Sequence, residues 1–328
     1  MTNHLFDALF TRRLDDDRPF LHLPDGSVRS YRQFLDQSGR IAFALVEAGV
    51  APGDRVAVQV TKSPDALALY VAAVRAGAVF LPLNTAYTPA EIGYFVGDAE
   101  PKLLVCDEAA RASLAPIAGD AEAGLLTLNA DGSGSLSDRA ASGDTAFEPV
   151  ARGADDLAAI LYTSGTTGRS KGAMLTHDNL LSNALALVDY WHFTEADVLL
   201  HALPIFHTHG LFVASNVIAA CGGSMIYQPA FNVDAVLEAL PRATSMMGVP
   251  TFYTRLLADP RFNRDLVAHM RLFVSGSAPL LAETHREFEA RTGHRILERY
   301  GMTETNMNTS NPYEGERRAG TVGFPLPG

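Results

Sequence analysis

The chain has 328 residues, of which 47% are hydrophobic and 19% charged, with a formal net charge of −11. This composition is typical of a globular protein with a sizeable core, and the length permits one large domain or two modest ones. The negative charge argues against a nonspecific nucleic-acid surface, which requires clustered cations. Cys106 and Cys221 lack metal-ligand spacing, and Met1–Arg13 carries no signal-peptide pattern. Because Arg75 and Gly77 interrupt the most apolar stretch, we expect a cytoplasmic protein that does not associate with membranes.

Strand-like and helix-like segments alternate along the first part of the chain. Thr88–Glu91 reads Thr-Pro-Ala-Glu, a capping box with proline at the first helical position, so we expect a helix from there to about Gly97. Another helix is expected over Pro64–Arg75. The predicted strands are Arg55–Val60, Val79–Leu83, Lys102–Cys106 and Leu125–Leu128. This alternation predicts parallel sheets covered by helices, which is an α/β fold.

A polar segment, Asn129–Ser137, interrupts the alternation, and we expect a boundary between two α/β halves within residues 129–150. The rhythm then resumes. Later strands are predicted at Leu157–Tyr162, Leu199–Leu203, Ser224–Tyr227, Ser245–Val249, Leu272–Ser275 and Ile296–Arg299, with helices at Val233–Leu240 and Leu281–Thr292. Each half is therefore expected to be a sheet layered between helices.

The segment Leu161–Gly172 carries the strongest functional signal in the chain. Six of its twelve residues are Thr, Ser or Lys, and three are Gly. Such a loop offers hydroxyls, a cation and exposed backbone N–H groups to an anion with several oxygens. It follows an apolar strand and precedes capping residues from Thr176, so a strand–loop–helix phosphate site is expected, although a flexible surface turn is the alternative. The loop is not that of a P-loop kinase, because Arg169 follows Gly168 where Lys-Ser or Lys-Thr is required.

Two further loops follow predicted strand ends. Ser275–Pro279 reads Ser-Gly-Ser-Ala-Pro, and Tyr300–Thr305 reads Tyr-Gly-Met-Thr-Glu-Thr. Ligands of open α/β sheets bind beyond the carboxyl ends of strands, so these loops and the loop Thr163–Lys171 are expected to line one cleft. Taken singly, each loop is equally compatible with a plain strand–helix connection.

Four ordered motifs resemble those of the adenylate-forming superfamily, which comprises acyl- and aryl-CoA synthetases, peptide-synthetase adenylation domains and firefly-type luciferases. The motifs are Ala72–Ala90, Leu161–Gly172, Leu203–Gly210 and Arg299–Thr305. The resemblance covers essentially the whole chain and is strongest to malonyl-CoA synthetases. It implies that residues 1–328 form the large N-terminal domain, built from two layered αβαβα subdomains. The C-terminal cap domain of that family, with its lysine, is expected to be missing from this chain.

The resemblance implies a two-step ligation. A carboxylate attacks the α-phosphate of ATP to give an acyl-adenylate and pyrophosphate, and the thiol of coenzyme A then displaces AMP. Attack of one anion on another requires cations, N–H donors and Mg²⁺. ATP, Mg²⁺, coenzyme A and a small carboxylic or dicarboxylic acid are therefore the expected ligands, and a chain without its cap is expected to be impaired. The sequence does not indicate an oligomeric state.

The same resemblance assigns the nucleotide site. The residues expected to cradle the β- and γ-phosphates are Thr163, Ser164, Gly165, Thr166, Thr167, Gly168 and Lys171. Thr303 is expected to bind the α-phosphate and Glu304 to hold Mg²⁺, for which a carboxylate is a suitable hard ligand. With Thr163 and Lys171, these two residues form the expected catalytic set. A plain surface turn is the alternative for Glu304.

Adenine is expected to lie between two of the strand-end loops. One side of that site is Tyr300, which resembles the residue that stacks on the base, followed by Gly301 and Met302. The turn Ser277-Ala278-Pro279 is expected along the other face. A half-buried core aromatic at a strand end is the alternative interpretation of Tyr300.

The choice of acid substrate depends on how the site treats a second carboxylate. A dicarboxylate enzyme must pair the second carboxylate, and arginine matches carboxylate geometry. Arg242 and Arg299 are similar in position to arginines that face this group in malonyl-CoA synthetases. The alternatives are that Arg242 complements a helix dipole and that Arg299 is an exposed strand-end charge.

Four other residues are expected to wall the acid pocket. His207 and His209 flank Thr208 and either orient a carboxylate or cap the following helix, while Ser277 and Met302 close the pocket around a small acid. Malonate and methylmalonate differ by one methyl group, which is worth only a few kcal/mol, so the sequence leaves both open. A ligase for short- or medium-chain or aryl acids is the first alternative, and a nucleotide-binding fragment with little activity is the second.

Overall fold

The computed structural model describes residues 2–163 and 169–327. Its helices are α1 His4–Leu9, α2 Tyr31–Glu47, α3 Pro64–Arg75, α4 Pro89–Ala99, α5 Glu108–Asp120, α6 Ser135–Ala140, α7 His177–Tyr190, α8 Ser215–Cys221, α9 Val233–Ala239, α10 Pro250–Leu257, α11 Arg264–Val267 and α12 Ala282–Thr292. Its strands are β1 Pro19–His22, β2 Val28–Ser30, β3 Arg55–Gln59, β4 Val79–Pro82, β5 Leu103–Cys106, β6 Gly124–Thr127, β7 Leu157–Thr163, β8 Lys171–Thr176, β9 Val198–His201, β10 Ser224–Tyr227, β11 Ser245–Gly248, β12 Leu272–Ser275, β13 Leu297–Met302, β14 Asn306–Ser310 and β15 Phe324–Pro325. Shorter helical turns occupy Thr11–Arg13, His209–Ala214 and Leu240–Arg242.

The chain divides into two compact units. The first unit comprises Met1–Arg18, Ser30–Leu181 and Ile205–His207, and the second comprises Pro19–Arg29, Ser182–Pro204 and Thr208–Gly328. The α/β fold class predicted from the alternation is confirmed.

The predicted boundary within residues 129–150 is wrong, because this segment lies inside the first unit. Backbone hydrogen bonds tie it there. The backbone N–H of Val150 donates to the carbonyl of Arg75 at 2.8 Å, and that of Ser135 donates to the Thr127 hydroxyl at 3.0 Å. The polar, glycine-containing composition of this segment therefore indicates a surface loop of the first unit and not a boundary between the two units.

The first unit is organised around a six-stranded sheet in the order β6-β5-β3-β4-β7-β8. Its strands pair in parallel except for β7 and β8, which are antiparallel. The helix starts follow the local sequence. The Ser63 side chain caps α3, which has Pro64 in its first turn, and Thr88 and Glu91 form the predicted capping box of α4. The helix α3 has the predicted bounds, and its α4 neighbour extends two residues beyond Gly97.

The glycine-rich segment joins two antiparallel strands rather than a strand and a helix. After the segment, Lys171–Thr176 forms β8, which pairs with β7. Lys171 lies opposite Thr163, and Ala173 lies opposite Leu161. In β8, Leu175 is buried and Met174 is exposed, as alternation along an edge strand requires. The helix α7 begins only at His177. The expected strand–loop–helix unit is therefore wrong, because the described residues on either side of residues 164–168 form a pair of antiparallel strands.

The second unit contains a nine-stranded sheet in the order β15-β14-β13-β12-β11-β9-β10-β1-β2. The predicted strands at Ser224–Tyr227 and Leu272–Ser275 have the observed bounds. Parallel pairing joins β1, β10, β9, β11, β12 and β13, whereas β14 and β15 are antiparallel additions. Apolar side chains from α9, α10 and α12 cover one face of this sheet in a buried cluster. Among the described residues, no helix combines the length and the apolar character that crossing a membrane requires.

Candidate functional site

Two of the three predicted loops start side by side in the second unit. The strands β12 and β13 are parallel neighbours, and Ser275 pairs with Glu298. The turn Ser275–Pro279 and the residues from Arg299 onward therefore leave the same carboxyl edge of the sheet, which is where open α/β sheets bind ligands. The loop Thr163–Lys171 belongs to the first unit, so its convergence on the other two stays a prediction.

Arg299 is the most unusual side chain at this edge. It is only 3% exposed, and among the described residues its Nε and Nη2 atoms have no hydrogen-bond partner. Burial lowers the pKa of Arg299 to about 9, while the nearby Tyr253 acts in the opposite direction. A pKa above 7 keeps the guanidinium charged at neutral pH. A buried cation whose donors are unused is costly unless an anion pairs with it, so the side chain is a strong candidate for binding a carboxylate.

The guanidinium of Arg299 lies against the turn that follows β12. A Cβ atom on Gly276 would overlap this guanidinium, so the absence of a side chain at Gly276 makes room for it. The Ser275 hydroxyl on the same turn is also buried and lacks a hydrogen-bond partner among the described residues. Two adjacent strands thus each carry a buried donor without a partner near the same edge of the sheet, and buried polar groups of this kind normally have a partner.

The next residue of the turn connects it to a histidine. Ser277 has a φ of 68°, in the left-handed region that non-glycine residues seldom occupy, at a cost on the order of 1–3 kcal/mol. In this conformation its hydroxyl lies 3.2 Å from Nδ1 of His209. His209 is 4% exposed and is the first residue of a π-helical turn, a feature often found at functional sites. Two predicted acid-pocket residues are therefore in contact.

The predicted loop Tyr300–Thr305 is the end of a strand and a tight turn. The strand β13 continues to Met302, beyond the predicted end at Arg299, because β14 pairs with it in antiparallel. The register shifts between Tyr300 and Gly301, and a Cβ on Gly301 would overlap the backbone carbonyl of Asn306. Tyr300 is 46% exposed. Part of this ring is therefore accessible for stacking on a planar ligand, and its role in binding adenine stays a prediction.

The remaining residues of this turn carry the predicted phosphate and metal roles. Thr303 is half-buried and Glu304 is exposed. None of the described residues forms an ion pair with Glu304. An exposed carboxylate without a cation beside it is available to a metal ion that a ligand brings with it.

The first unit contributes the ends of the hairpin. Thr163 closes β7, and Lys171 opens β8 with its side chain exposed. The Thr163 hydroxyl donates to the Lys171 carbonyl at 3.5 Å. The intervening predicted phosphate ligands lie outside the described residues, namely Ser164, Gly165, Thr166, Thr167 and Gly168.

A family model for AMP-binding enzymes matches residues 11–328. The chain belongs to the AMP-binding enzyme family. It is 36% identical over 303 residues to a malonate–CoA ligase of Arabidopsis thaliana, a match covering 85% of this chain and 50% of the relative. It is 60% identical to ATP-bound MatB from Rhodopseudomonas palustris, with a TM-score of 0.98 over 100% of this chain and 65% of that one.

A third comparison is a malonyl-CoA ligase in a ternary product complex with methylmalonyl-CoA and AMP. It is 35% identical, with a TM-score of 0.83 over 99% of this chain and 66% of that chain. The chain spans about half the length of the curated relatives it matches.

Arg242 does not lie beside Arg299 at the carboxyl edge of the sheet. Arg242 is exposed and ends the helical turn before β11, whereas Gly248 at the other end of β11 pairs with Ser275. At about 3.3 Å per strand residue, the length of β11 separates Arg242 from the carboxyl edge by on the order of 13 Å. The expectation that both arginines face one carboxylate is not what the structure shows. Arg242 instead lies near His22 and helps burial to lower the pKa of that imidazole.

The remaining residues predicted for the acid and adenine sites lie at several places in the two units. His207 is exposed and belongs to the first unit, where its ring lies 4.6 Å from that of Phe206. Met302 is 40% exposed at the end of β13. Ala278 and Pro279 follow Ser277 in the turn after β12 and are exposed like it.

Sequence reasoning missed Ser275 and Gly276 as individual functional residues. Both lie in a turn that the sequence singles out, but the importance of Gly276 depends on Arg299, which lies on a neighbouring strand. No local sequence signal shows that Gly276 lies against a side chain of the neighbouring strand.

Proposed function

We propose that the protein carrying this chain is an ATP-dependent ligase that joins malonate, or methylmalonate, to coenzyme A. The observation that carries the proposal is Arg299, a buried guanidinium with unused donors at the carboxyl edge of the second sheet. A monocarboxylate offers no second charge to such a cation, whereas a small dicarboxylate does. The similarity to malonate–CoA ligases supports the same choice.

The proposed reaction has two steps. One carboxylate oxygen of malonate forms a bond to the α-phosphorus of ATP, and the bond from that phosphorus to the bridging oxygen breaks to release pyrophosphate. The sulfur of coenzyme A, having lost its proton, then attacks the acyl carbon, and AMP leaves with the electron pair of the carbon–oxygen bond. The distal carboxylate does not react. Its role in binding is to place the reacting carboxylate, which is where Arg299 acts.

The proposed roles of the other residues follow from charge. Thr163 and Lys171 bind the terminal phosphates, and Thr303 donates to the α-phosphate, where negative charge accumulates during attack. Tyr300 stacks on adenine opposite the turn Ser277-Ala278-Pro279. Ser277 and His209 hold the wall of the acid pocket through their hydrogen bond.

Mg²⁺ fits the residues that are present. Among the described residues, no group of three His, Cys, Asp or Glu side chains is arranged to hold a metal. Mg²⁺ commonly binds one or two carboxylates together with substrate phosphates, so the exposed Glu304 is sufficient as the contribution of this chain. The ion supplies charge neutralisation for the phosphates.

Formation of AMP by the full-length protein tests the proposal. The assay contains ATP, Mg²⁺ and coenzyme A, and compares malonate, methylmalonate, acetate and octanoate. Malonate or methylmalonate is expected to give the highest kcat/KM, with little AMP formed when coenzyme A is omitted. A higher kcat/KM for acetate or octanoate would show a ligase for a different acid.

Replacing Lys171 by alanine is expected to raise KM for ATP by about 10- to 100-fold, because a hydrogen bond to a charged group contributes about 1.5–3 kcal/mol. KM for malonate is expected to change little. Lys102→Ala removes an exposed lysine of the same unit and serves as the control. Steady-state kinetics with ATP as the varied substrate measure both. Equal KM values for ATP in the two variants would remove Lys171 from the phosphate site.

Replacing Glu304 by glutamine is expected to lower the adenylation rate at limiting Mg²⁺ by about tenfold or more, because the amide keeps the shape of the side chain but binds Mg²⁺ weakly. The melting temperature is expected to stay the same, since the side chain is exposed. The measurement is a Mg²⁺ titration of pyrophosphate release. Glu314→Gln removes another exposed carboxylate of the second unit as a control. A wild-type Mg²⁺ dependence in Glu304→Gln would rule out the assignment.

A further inference from the structure

The helix α4 contacts both arms of the hairpin formed by β7 and β8. The Tyr162 hydroxyl on β7 donates to Oδ2 of Asp98 at 2.6 Å. On the return arm, the backbone carbonyl of Ser170 accepts a hydrogen bond of 2.7 Å from the Tyr94 hydroxyl. Tyr162 directly precedes Thr163, and Ser170 directly precedes Lys171. The two contacts are therefore one residue away from the two described residues with proposed phosphate roles.

We propose that Tyr94 and Asp98 are positioning residues that hold the two arms of this hairpin in the geometry that binds the phosphates of ATP. The inference rests on the proposed function, because it assumes that the hairpin binds phosphates. It adds support from outside the hairpin to the pairing of its two strands. Tyr94 and Asp98 are four residues apart on a helix, so they lie on one face and reach the hairpin together.

The helix that carries these residues is firmly seated. Its start is fixed by a capping box, and Ile92, Phe95 and Val96 are buried. The Phe95 ring lies 4.4 Å from the Tyr162 ring, which joins the helix to β7 by packing as well as by the hydrogen bond. Well-packed support of this kind is what holds a binding group within a fraction of an ångström of its working geometry.

A cation of the hairpin also depends on Tyr94. The Arg169 guanidinium lies over the Tyr94 ring, 5.0 Å from its centre, and is otherwise exposed. Such a cation–π contact restricts a flexible side chain next to Lys171. Tyr94 thus holds the return arm through its ring and its hydroxyl, and these two contacts can be removed separately.

Asp98 acts on the other arm as a hydrogen-bond acceptor. Burial, with the hydrogen bond to Asp98, raises the pKa of Tyr162, so the phenol stays protonated and continues to donate at any physiological pH. The contact needs an oxygen acceptor rather than a negative charge. Asparagine at this position keeps an oxygen, whereas alanine removes it.

The test uses hydroxyl- and acceptor-deleting variants of the full-length protein. Tyr94→Phe and Asp98→Ala are each expected to raise KM for ATP about three- to tenfold, and the double variant by more. KM for malonate is expected to stay within about twofold, because the hairpin is not assigned to the acid pocket. Asp98→Asn is expected to restore most of the ATP affinity.

Tyr87→Phe is the matched control. The Tyr87 ring packs 5.0 Å from that of Phe95 in the same aromatic cluster, but among the described residues its hydroxyl makes no hydrogen bond to the hairpin. It is expected to leave KM for ATP unchanged. Melting temperatures of all variants separate positioning from stability.

Three results would overturn the inference. The first is an unchanged KM for ATP in the double variant. The second is a parallel loss in both KM values and in melting temperature, which indicates a purely structural role. The third is a normal KM for ATP in Lys171→Ala, which removes the phosphate role of the hairpin and with it the proposed function. The first result, together with a raised KM for ATP in Lys171→Ala, leaves the proposed function intact and rejects the positioning role alone.

Discussion

Replacing Arg299 by alanine is expected to reduce kcat/KM for malonate by roughly tens- to thousands-fold in the full-length protein. The reason is that the distal carboxylate of malonate would be buried without its cation, and loss of one partner of a buried charge pair costs about 2–5 kcal/mol. A monocarboxylate loses nothing by the same change. We therefore expect kcat/KM for butyrate to hold steady or rise, and KM for ATP to change little. Stability is expected to be maintained or improved, because the variant removes a buried cation with unused donors.

Arg242→Ala is the control for this experiment. It removes a guanidinium from the same unit but from the amino end of β11, so kcat/KM for malonate is expected to stay near the wild-type value. Kinetics with malonate and butyrate, combined with melting temperatures, measure the difference. Equal losses for the two acids in Arg299→Ala, together with a lower melting temperature, would mean that Arg299 is structural. A loss of malonate activity in Arg242→Ala would restore the two-arginine clamp expected from the sequence.

Much of the fold is predictable because its signals are local. The strand Leu272–Ser275 and the helix Pro64–Arg75 have the bounds that apolar patterning, proline and glycine predict. The capping box at Thr88 places the start of α4 correctly. Each of these features is determined by residues within a few positions of one another, and their alternation is sufficient for the α/β class.

The wrong predictions concern features that depend on contacts between residues far apart in the sequence. The hairpin at Leu161–Gly172 forms because Lys171–Thr176 pairs along β7, and such pairing is invisible in a six-residue segment read by itself. The segment 129–150 resembles a linker in composition but is bonded to residues far along the chain, such as Arg75. Polar composition indicates that a segment is exposed to solvent. The boundary between the two units depends instead on which unit the backbone of the segment is hydrogen-bonded to.

Only part of the candidate site can be predicted from the sequence, because the site also depends on contacts between distant residues. Residue types identified Arg299 and Ser277, and the structure places both at one edge of the second sheet. The burial of Arg299 comes from the strand beside it, so the sequence could not separate it from Arg242, which has the same chemistry at the wrong end of a strand.

Replacing Gly276 by alanine is expected to reduce kcat/KM for malonate by about 10- to 100-fold while leaving ATP binding in place. A Cβ at this position would overlap the Arg299 guanidinium, so the arginine must move away from the carboxylate it binds. The backbone itself accepts alanine, because Gly276 is not among the described glycines with φ in the left-handed region. Because the backbone accepts alanine, a loss of malonate activity without a loss of stability points to the displacement of Arg299.

A double variant makes this prediction specific. If Gly276→Ala acts only by displacing Arg299, then Gly276→Ala combined with Arg299→Ala should be no worse for malonate than Arg299→Ala alone, because contacting residues are not additive. Gly97→Ala is the matched control, since a Cβ there meets no atom within 4 Å. The measurements are kcat/KM for malonate and butyrate, KM for ATP and the melting temperature. Additive losses in the double variant, or a raised KM for ATP in Gly276→Ala, would show that Gly276 contacts the nucleotide rather than making room for the arginine.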